Sequence, residues 1–363
     1  MDPINISDFE FLAGEKLHKS VFDYYSGGAN DEITLKENCE AFKRIFLKYR
    51  ILVDVSKRDL STEVLGQKIS MPVIVAPTAF HKIAHPDGES ATAKASGNAG
   101  TIMILSTLSN TSIEDVVKAS TGSVWFQLYV FRDREITKEL IRKAEAAGVK
   151  AIVLTVDTPL LGQREKDMRN KFDLPNGLEI ANLAFVSKTN LIVNNDSGLA
   201  GYVKENLDPS LSWKDIDWLR SVTSLPVILK GIACKEDALI AVDHNVDGIV
   251  VSNHGGRQLD TCCAAIDVLP EISDAVKGNT EIFMDGGIRR GTDILKAVAL
   301  GAKAVLTGRP VLWGLTYNGC NGVTDVLNIF KKEFDLAMAL CGCTNVNSIS
   351  KELIAQNQTS SQK

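Results

Sequence analysis

No stretch of this sequence approaches the roughly 18 consecutive apolar residues that a membrane-crossing helix requires, so no such helix is expected. Positive charge is also short: 40 Lys and Arg stand against 45 Asp and Glu, a net charge of −5. No global field therefore exists to gather nucleic acid or an anionic membrane, and any anionic ligand must be held locally. The seven cysteines (Cys39, Cys234, Cys262, Cys263, Cys320, Cys341 and Cys343) are odd in number. They lack the paired CxxC spacing with histidines that builds a metal centre, so no metal is expected and the thiols are read as reduced and mostly structural. The opening Met1 to Glu10 is too acidic and polar for a secretory signal, which points to a soluble, intracellular protein. Also missing is a GxGxxG loop after the first candidate strand, between Met71 and Ala84, as a dinucleotide-binding sheet would require.

What is present is an alternation. Short β-branched runs recur between amphipathic segments, the order that parallel βαβ units impose. The runs are Pro72–Ala76, Thr101–Ser106, Val124–Tyr129, Ala151–Val156, Pro226–Lys230, Gly248–Ser252, Glu281–Asp285 and Ala304–Thr307. Helical stretches between them, such as Arg134 to Gly148, Lys235 to Asn245 and Gly291 to Gly301, end in or near Gly or Asn. Eight such repeats predict an α/β fold, a closed (β/α)8 TIM barrel, rather than an open sheet. The 363 residues are read as one unit, with an N-terminal extension (1–70), the barrel (71–340) and a C-terminal tail (341–363). The extension is predicted to be helical from Ser7 to Tyr25, opened by a Ser7/Glu10 capping box and closed by Gly27-Gly28. Between strands four and five, Pro159 to Leu211 is far longer than an ordinary βα loop, and a loop of that length on a barrel often serves as an active-site lid.

Active sites of such barrels gather at the C-terminal ends of the strands. Here those ends carry Pro77 and Thr78, Ser106, Gln127 and Tyr129, Thr155 and Asp157, Lys230, Ser252 with His254 and Arg257, Asp285 with Arg289, and Thr307 with Arg309. One Thr or Asp at a strand end ordinarily caps the next helix. Eight polar ends together exceed what capping needs, and a strand-terminal Lys230 calls for an anionic or electron-rich partner. Asp285-Gly-Gly-Ile-Arg-Arg-Gly291 after strand seven and Thr307-Gly-Arg309 after strand eight occupy the phosphate-site positions of this architecture. Glycine lets backbone amides approach an anion, a helix N-terminus adds positive potential, and arginine adds a bidentate fork. Of the five histidines, His18 and His244 fall in helical segments and His81 and His85 in the first loop. Only His254 stands at a strand end followed by two glycines and an arginine, with Asp157 able to accept a hydrogen bond from its ring.

On these residues the chain resembles the FMN-dependent L-2-hydroxy acid oxidase family, which includes glycolate, L-lactate and longer-chain hydroxy acid oxidases. The resemblance runs over nearly the whole chain. It is carried by Ser252-Asn-His-Gly-Gly-Arg-Gln-Leu-Asp260, Leu154-Thr-Val-Asp-Thr-Pro159, Asp285-Gly-Gly-Ile-Arg-Arg-Gly291 and Tyr24-Tyr-Ser-Gly-Gly-Ala29. It implies FMN lying against Pro77, Thr78, Ala79, Ser106, Gln127, Thr155, Lys230 and Ser252. The phosphate would meet Asp285, Gly286, Gly287, Ile288, Arg289, Gly308 and Arg309. It further implies a substrate carboxylate held by Arg164, Arg257 and the Tyr24 hydroxyl, Tyr129 orienting the substrate oxygen, His254 accepting the hydroxyl proton, and Lys230 beside the flavin N1 and O2 edge. Dioxygen would receive the electrons and leave as hydrogen peroxide. A homotetramer is implied, as is a peroxisomal or cytoplasmic location, although Ser360 to Lys363 do not spell the Ser-Lys-Leu address that many members carry.

One departure bears on substrate. Leu108 stands where glycolate oxidases typically place Trp, leaving room for a substrate side chain, and Phe80 replaces a common Met and could reclaim part of it. Lactate or a longer 2-hydroxy acid is therefore expected over glycolate. The rival readings are a glycolate oxidase, a dehydrogenase passing electrons to a quinone or cytochrome, an FMN-dependent isomerase, and a phosphate-ligand binding barrel without turnover. The last leaves His254, Lys230 and Arg164 unexplained together.

Overall fold

In a computed structural model that describes residues 2–186 and 198–355, all eight predicted strands form and close on one another. They are β1 (Val73–Val75), β2 (Met103–Leu105), β3 (Val124–Leu128), β4 (Ile152–Thr155), β5 (Val227–Ile232), β6 (Gly248–Val251), β7 (Glu281–Asp285) and β8 (Ala304–Thr307). Every pairing is parallel, and β8 pairs with β1, Leu306 opposite Ile74, so the sheet has no free edge. Strand alternation divides the core in two. Side chains such as Ile74, Ile104, Trp125, Val153, Ile228, Phe283 and Leu306 fill the barrel interior, with Trp125 and Phe283 edge to face at 5.8 Å. The residues between them on each strand, such as Val73, Val75, Met103 and Leu105, face the helices.

The barrel floor is closed by a short antiparallel hairpin, Thr62–Val64 with Gln67–Ile69, which adds Val64 and Ile69 to the interior cluster. Its turn is pinned from the barrel: Glu281 accepts from the Leu65 backbone N–H at 3.1 Å, and the Trp125 indole donates to Gln67 at 3.3 Å. The cavity described below lies at the opposite end, where the strands finish.

The N-terminal extension is helical but not continuous. α1 (Ile6–Lys16) and α2 (Lys19–Ser26) are separated by an extended Leu17, and α3 (Ile33–Lys43) follows. The expected Ser7/Glu10 box is replaced by Asn5, whose extended backbone lets its side chain accept from the Asp8 amide at 3.1 Å; Ser7 already lies inside the helix. His18, expected within a helix, instead caps α2. The connection after β4 is likewise more ordered than a plain loop, with helices at Glu165–Arg169 and Gly198–Asn206 and a 3₁₀ turn at Ala181–Leu183. The middle of that connection, 187–197, and the C-terminal residues Ser360 to Lys363 lie outside the described residues.

Candidate active site

The Tyr24–Ala29 segment and the Ser252–Asp260 loop, far apart in sequence, dock on each other across the barrel mouth. Ala29 donates its backbone N–H to the Gly256 carbonyl at 2.8 Å, and Asp260 accepts from the amides of Asp31 and Thr34 at 3.1 and 2.8 Å. Beneath them Asn38 and Asn253 exchange two amide hydrogen bonds of 2.8 Å each. The loop reaches this shape because His254, Gly255 and Gly256 are all left-handed, with φ of 58°, 63° and 74°. A histidine in that region is strained, and such strain persists where the surroundings fix it. Here the Ser252 hydroxyl accepts from the His254 amide at 3.0 Å.

The two segments, the strand ends and the connection after β4 enclose a cavity of about 1120 Å³, its mouth included. Nearly every residue singled out from sequence lines it: Tyr24, Pro77, Thr78, Ala79, Ser106, Leu108, Gln127, Tyr129, Thr155, Arg164, Lys230, His254, Arg257, the run Asp285 to Arg289, Gly308 and Arg309. Asp157 and Ser252 stand behind this wall, the first against His254 and the second against Lys230. Phe80 does not line it. Its ring is fully buried beside Tyr24, so the expectation that it reclaims space next to Leu108 is corrected.

His254 Nδ1 donates to Asp157 Oδ1 at 2.9 Å, which leaves Nε2 as the basic nitrogen. Burial lowers the proton affinity of the imidazole, and Asp157 opposes that fall without reversing it. The ring is therefore neutral and able to accept a proton near neutral pH. Burial works against the charge of Asp157 as well, but His254 and Lys230 outweigh it and hold the carboxyl below its usual range. Lys230 reaches Asp285 at 2.9 Å and the Ser252 hydroxyl at 3.0 Å. Burial disfavours its ammonium, yet Asp285 and Asp157 more than compensate and it stays protonated.

Positive charge is concentrated at the cavity, with Asp167 the carboxylate that acts on Arg164 and Arg257 from beyond direct contact. Among the described residues, Arg164, Arg257, Arg289 and Arg309 have no carboxylate within ion-pair distance. Their guanidinium groups bond to backbone carbonyls: Arg257 to Tyr24 and Gly27 at 2.6 and 2.9 Å, Arg309 to Tyr25, Gly255 and Gly27 at 2.8 to 3.0 Å, Arg164 to Arg257 at 3.3 Å. Burial and then the neighbouring Arg257 push Arg164 down to about 10; burial with Arg257 and Arg289 pushes Arg309 down to about 9. Two such clusters, Arg164 with Arg257 on one side and Arg289 with Arg309 on the other, are sites that an anion relieves. Tyr24 faces the first cluster, stacked on Phe172 at 4.1 Å and beneath the Arg257 guanidinium at 5.1 Å; burial raises its hydroxyl's pKa and keeps it a donor.

The second cluster sits on a backbone cradle. Gly286 and Gly287 have φ of 94° and 81°, and a Cβ on Gly287 would fall 1.9 Å from the Asn38 carbonyl oxygen. The helix Gly291–Ala299, expected to offer its N-terminus here, is occupied instead: Asp293 accepts from the amides of Arg289 and Arg290 at 3.0 and 2.9 Å, and Glu333 from that of Gly291 at 2.8 Å. The positive helix end that reaches the cavity is that of Arg309–Cys341, with Gly308 and Arg309 in the wall.

Among the lining residues to which the sequence reading gave no role are Thr158, Leu161 and Val203. Thr158 follows Asp157 directly and bonds to it, and adjacency to a named residue was the available signal. Leu161 and Val203 belong to the connection after β4, the first in an irregular stretch and the second in a nine-residue helix with too little periodicity to read.

The sequence profile of the family described as FMN-dependent dehydrogenase matches residues 13–356. The chain is 54% identical to "2-Hydroxyacid oxidase 1" of Homo sapiens over 360 residues, 98% of this chain and 97% of that protein. It is 52% identical to "Glycolate oxidase 3" of Arabidopsis thaliana (97% and 95% covered) and 52% identical to "L-lactate oxidase" of Nostoc sp. (97% and 98%). A solved mandelate oxidase with (S)-4-hydroxymandelic acid superposes with a TM-score of 0.93 at 40% identity, covering 97% of this chain and 98% of that one. The cavity fits the cofactor that the family name states. It has a glycine cradle with two unpaired arginines for a phosphate, a row of hydrogen-bonding side chains at Ser106, Gln127 and Thr155, and buried polar atoms of Asp285 (Oδ1) and Thr307 (Oγ1) that no protein group satisfies.

Proposed function

This chain belongs to the FMN-dependent dehydrogenase family and is an FMN-dependent 2-hydroxy acid oxidase; from that premise we propose that it prefers L-lactate or a longer L-2-hydroxy acid to glycolate. The observation that carries the preference is the cavity wall, which the buried Leu108 lines together with Leu161 and Val203 while Phe80 does not. An apolar pocket of this kind gains about 1–3 kcal/mol per methylene buried, enough to favour a side chain over none but not to exclude glycolate. The relatives' printed names span glycolate and lactate at equal identity, so what supports the reading is the wall at Leu108.

FMN would be held by Arg289, Arg309 and the Gly286-Gly287 cradle at its phosphate, and by Pro77 to Ala79, Ser106, Gln127, Thr155, Lys230 and Ser252 along its ring system. When bound it supplies an acceptor for the two electrons that leave the substrate carbon. Arg164, Arg257 and the Tyr24 hydroxyl bind the substrate carboxylate, a planar anion matched to two guanidinium forks. The neutral His254 takes the hydroxyl proton at Nε2, and Asp157 stabilises the imidazolium that results. Tyr129, whose burial keeps its hydroxyl protonated, orients the substrate oxygen. The buried ammonium of Lys230 is placed to offset negative charge on a reduced ring system. Dioxygen accepts the electrons in the last step, so one hydroxy acid and one O2 become one 2-oxo acid and one H2O2.

The test is a comparison of kcat/KM for glycolate, L-lactate and L-2-hydroxyoctanoate, with peroxide as the readout. The reading expects either of the larger acids to exceed glycolate. A higher value for glycolate than for both would overturn it, and turnover only with an artificial acceptor would assign the electrons elsewhere than to oxygen.

A further inference from the structure

Asp157 uses its two oxygens unequally. Oδ1 accepts from His254 Nδ1 at 2.9 Å and also from the Thr158 hydroxyl at 3.0 Å, while the buried Oδ2 has no partner. Thr158 Oγ1 is itself 3.5 Å from His254 Nδ1 and faces Tyr129, whose hydroxyl it influences. A single hydroxyl thus reaches both the acid and the base of the site. The side chain is held among them, since Thr158 is buried in the cavity wall and the following residue is Pro159.

We propose that Thr158 is a positioning residue of the proton acceptor: by sharing Asp157 Oδ1 with His254 it fixes that carboxylate and tempers its hold on the imidazole. Two donors on one oxygen divide its charge, so each bond is weaker than it would be alone. Without the hydroxyl the whole of Oδ1 serves His254, and the imidazolium is favoured. The other charged groups facing His254 are Lys230 from β5 and Arg164 from the connection after β4, and both oppose its charge. Lys230 is anchored to Asp285, and Arg257 adjoins Arg164; none of these contacts passes through Thr158. This inference rests on His254 acting as the base.

The experiment is the pH dependence of kcat/KM for L-lactate in the flavin-loaded Thr158→Val and Thr158→Ser variants, with His254→Gln measured beside them. Valine keeps the shape and removes the hydroxyl; serine keeps the hydroxyl. The acidic limb should move up by about 0.5 to 1 pH unit in Thr158→Val, the size expected for part of one charged hydrogen bond, and return to within about 0.2 unit in Thr158→Ser. An unmoved or lowered limb in Thr158→Val with flavin bound overturns the proposal, as does a Thr158→Ser limb that stays with valine's. Full turnover in His254→Gln would instead bring down the assignment of the base, whatever the Thr158 variants do. Were Thr158→Val not to fold, Thr158→Ala, which leaves a gap in place of the hydroxyl, is read against the same limb.

Discussion

Replacing Asp157 with Asn removes the one negative charge in contact with His254 while nearly preserving shape. The bond lost is the 2.9 Å contact to Nδ1. At an effective dielectric near 20, a full charge pair about 4 Å apart is worth about 4 kcal/mol. If the imidazolium is half formed at the transition state, about 2 kcal/mol of stabilisation disappears, or about a 30-fold loss of rate. The loss grows toward about 10⁴-fold if the Asn amide turns its nitrogen to the ring and reverses the tautomer, as a misoriented triad does. The pH profile supplies a second, opposite signature. In the native site the carboxylate opposes the lowering that burial imposes on His254, so without it the imidazole is still harder to protonate. The acidic limb of kcat/KM should fall to lower pH while the plateau drops. Stopped-flow reduction by L-lactate under anaerobic conditions reads both effects, with the flavin spectrum reporting that the site is intact. A plateau within about threefold of native, or a limb that rises, would refute the reasoning.

Other outcomes follow from the same geometry. In the native enzyme the acidic limb should lie below pH 6.5, because burial lowers His254 from that value; a limb at or above 7 speaks against His254 as the titrating group. Arg164→Leu removes a cation whose described polar contact is one backbone carbonyl, so the fold should be unharmed while KM for L-lactate rises about 10- to 100-fold, the worth of one charged hydrogen-bonding group. An unchanged KM would place the carboxylate elsewhere. Leu108→Trp fills the wall and should move the ratio of kcat/KM for glycolate over L-2-hydroxyoctanoate upward at least tenfold; an unmoved ratio means the substrate side chain does not lie there. Gly287→Ala places a Cβ 1.9 Å from the Asn38 carbonyl oxygen at φ 81°, so Asn38 and its pairing with Asn253 must shift. FMN affinity and melting temperature should both drop, as equilibrium dialysis and calorimetry would record.

The barrel was legible because its strands are buried on both faces and read as unbroken β-branched runs, and because their C-terminal ends carry polar residues that no helix cap requires. Lys230, His254 and the two glycine turns stood out on those grounds alone. The roles of Arg164 and Tyr24 needed the family resemblance, since each reaches the cavity from a segment whose docking no local pattern encodes. The capping residue of α1 was misplaced because Asn5 and Ser7 are both competent caps, and only the extended backbone at Asn5 chooses between them. Self-capping by Asp293 was hidden for a similar reason: an acidic residue at the third position of a helix reads equally as dipole compensation or as occupancy of the amides an anion would use. Thr158 passed as a neighbour of Asp157 because a shared carboxylate oxygen is a matter of a few tenths of an ångström.

The measurement that bears most directly on the account is the anaerobic half-reaction of the His254→Gln variant with L-lactate. The protein should retain FMN, since the cradle at Gly286, Gly287, Arg289 and Arg309 does not involve this side chain, and flavin reduction should slow by about 10²- to 10⁴-fold, the contribution of a positioned base. Bleaching of the flavin at the native rate would contradict the central claim that His254 takes the proton of a 2-hydroxy acid.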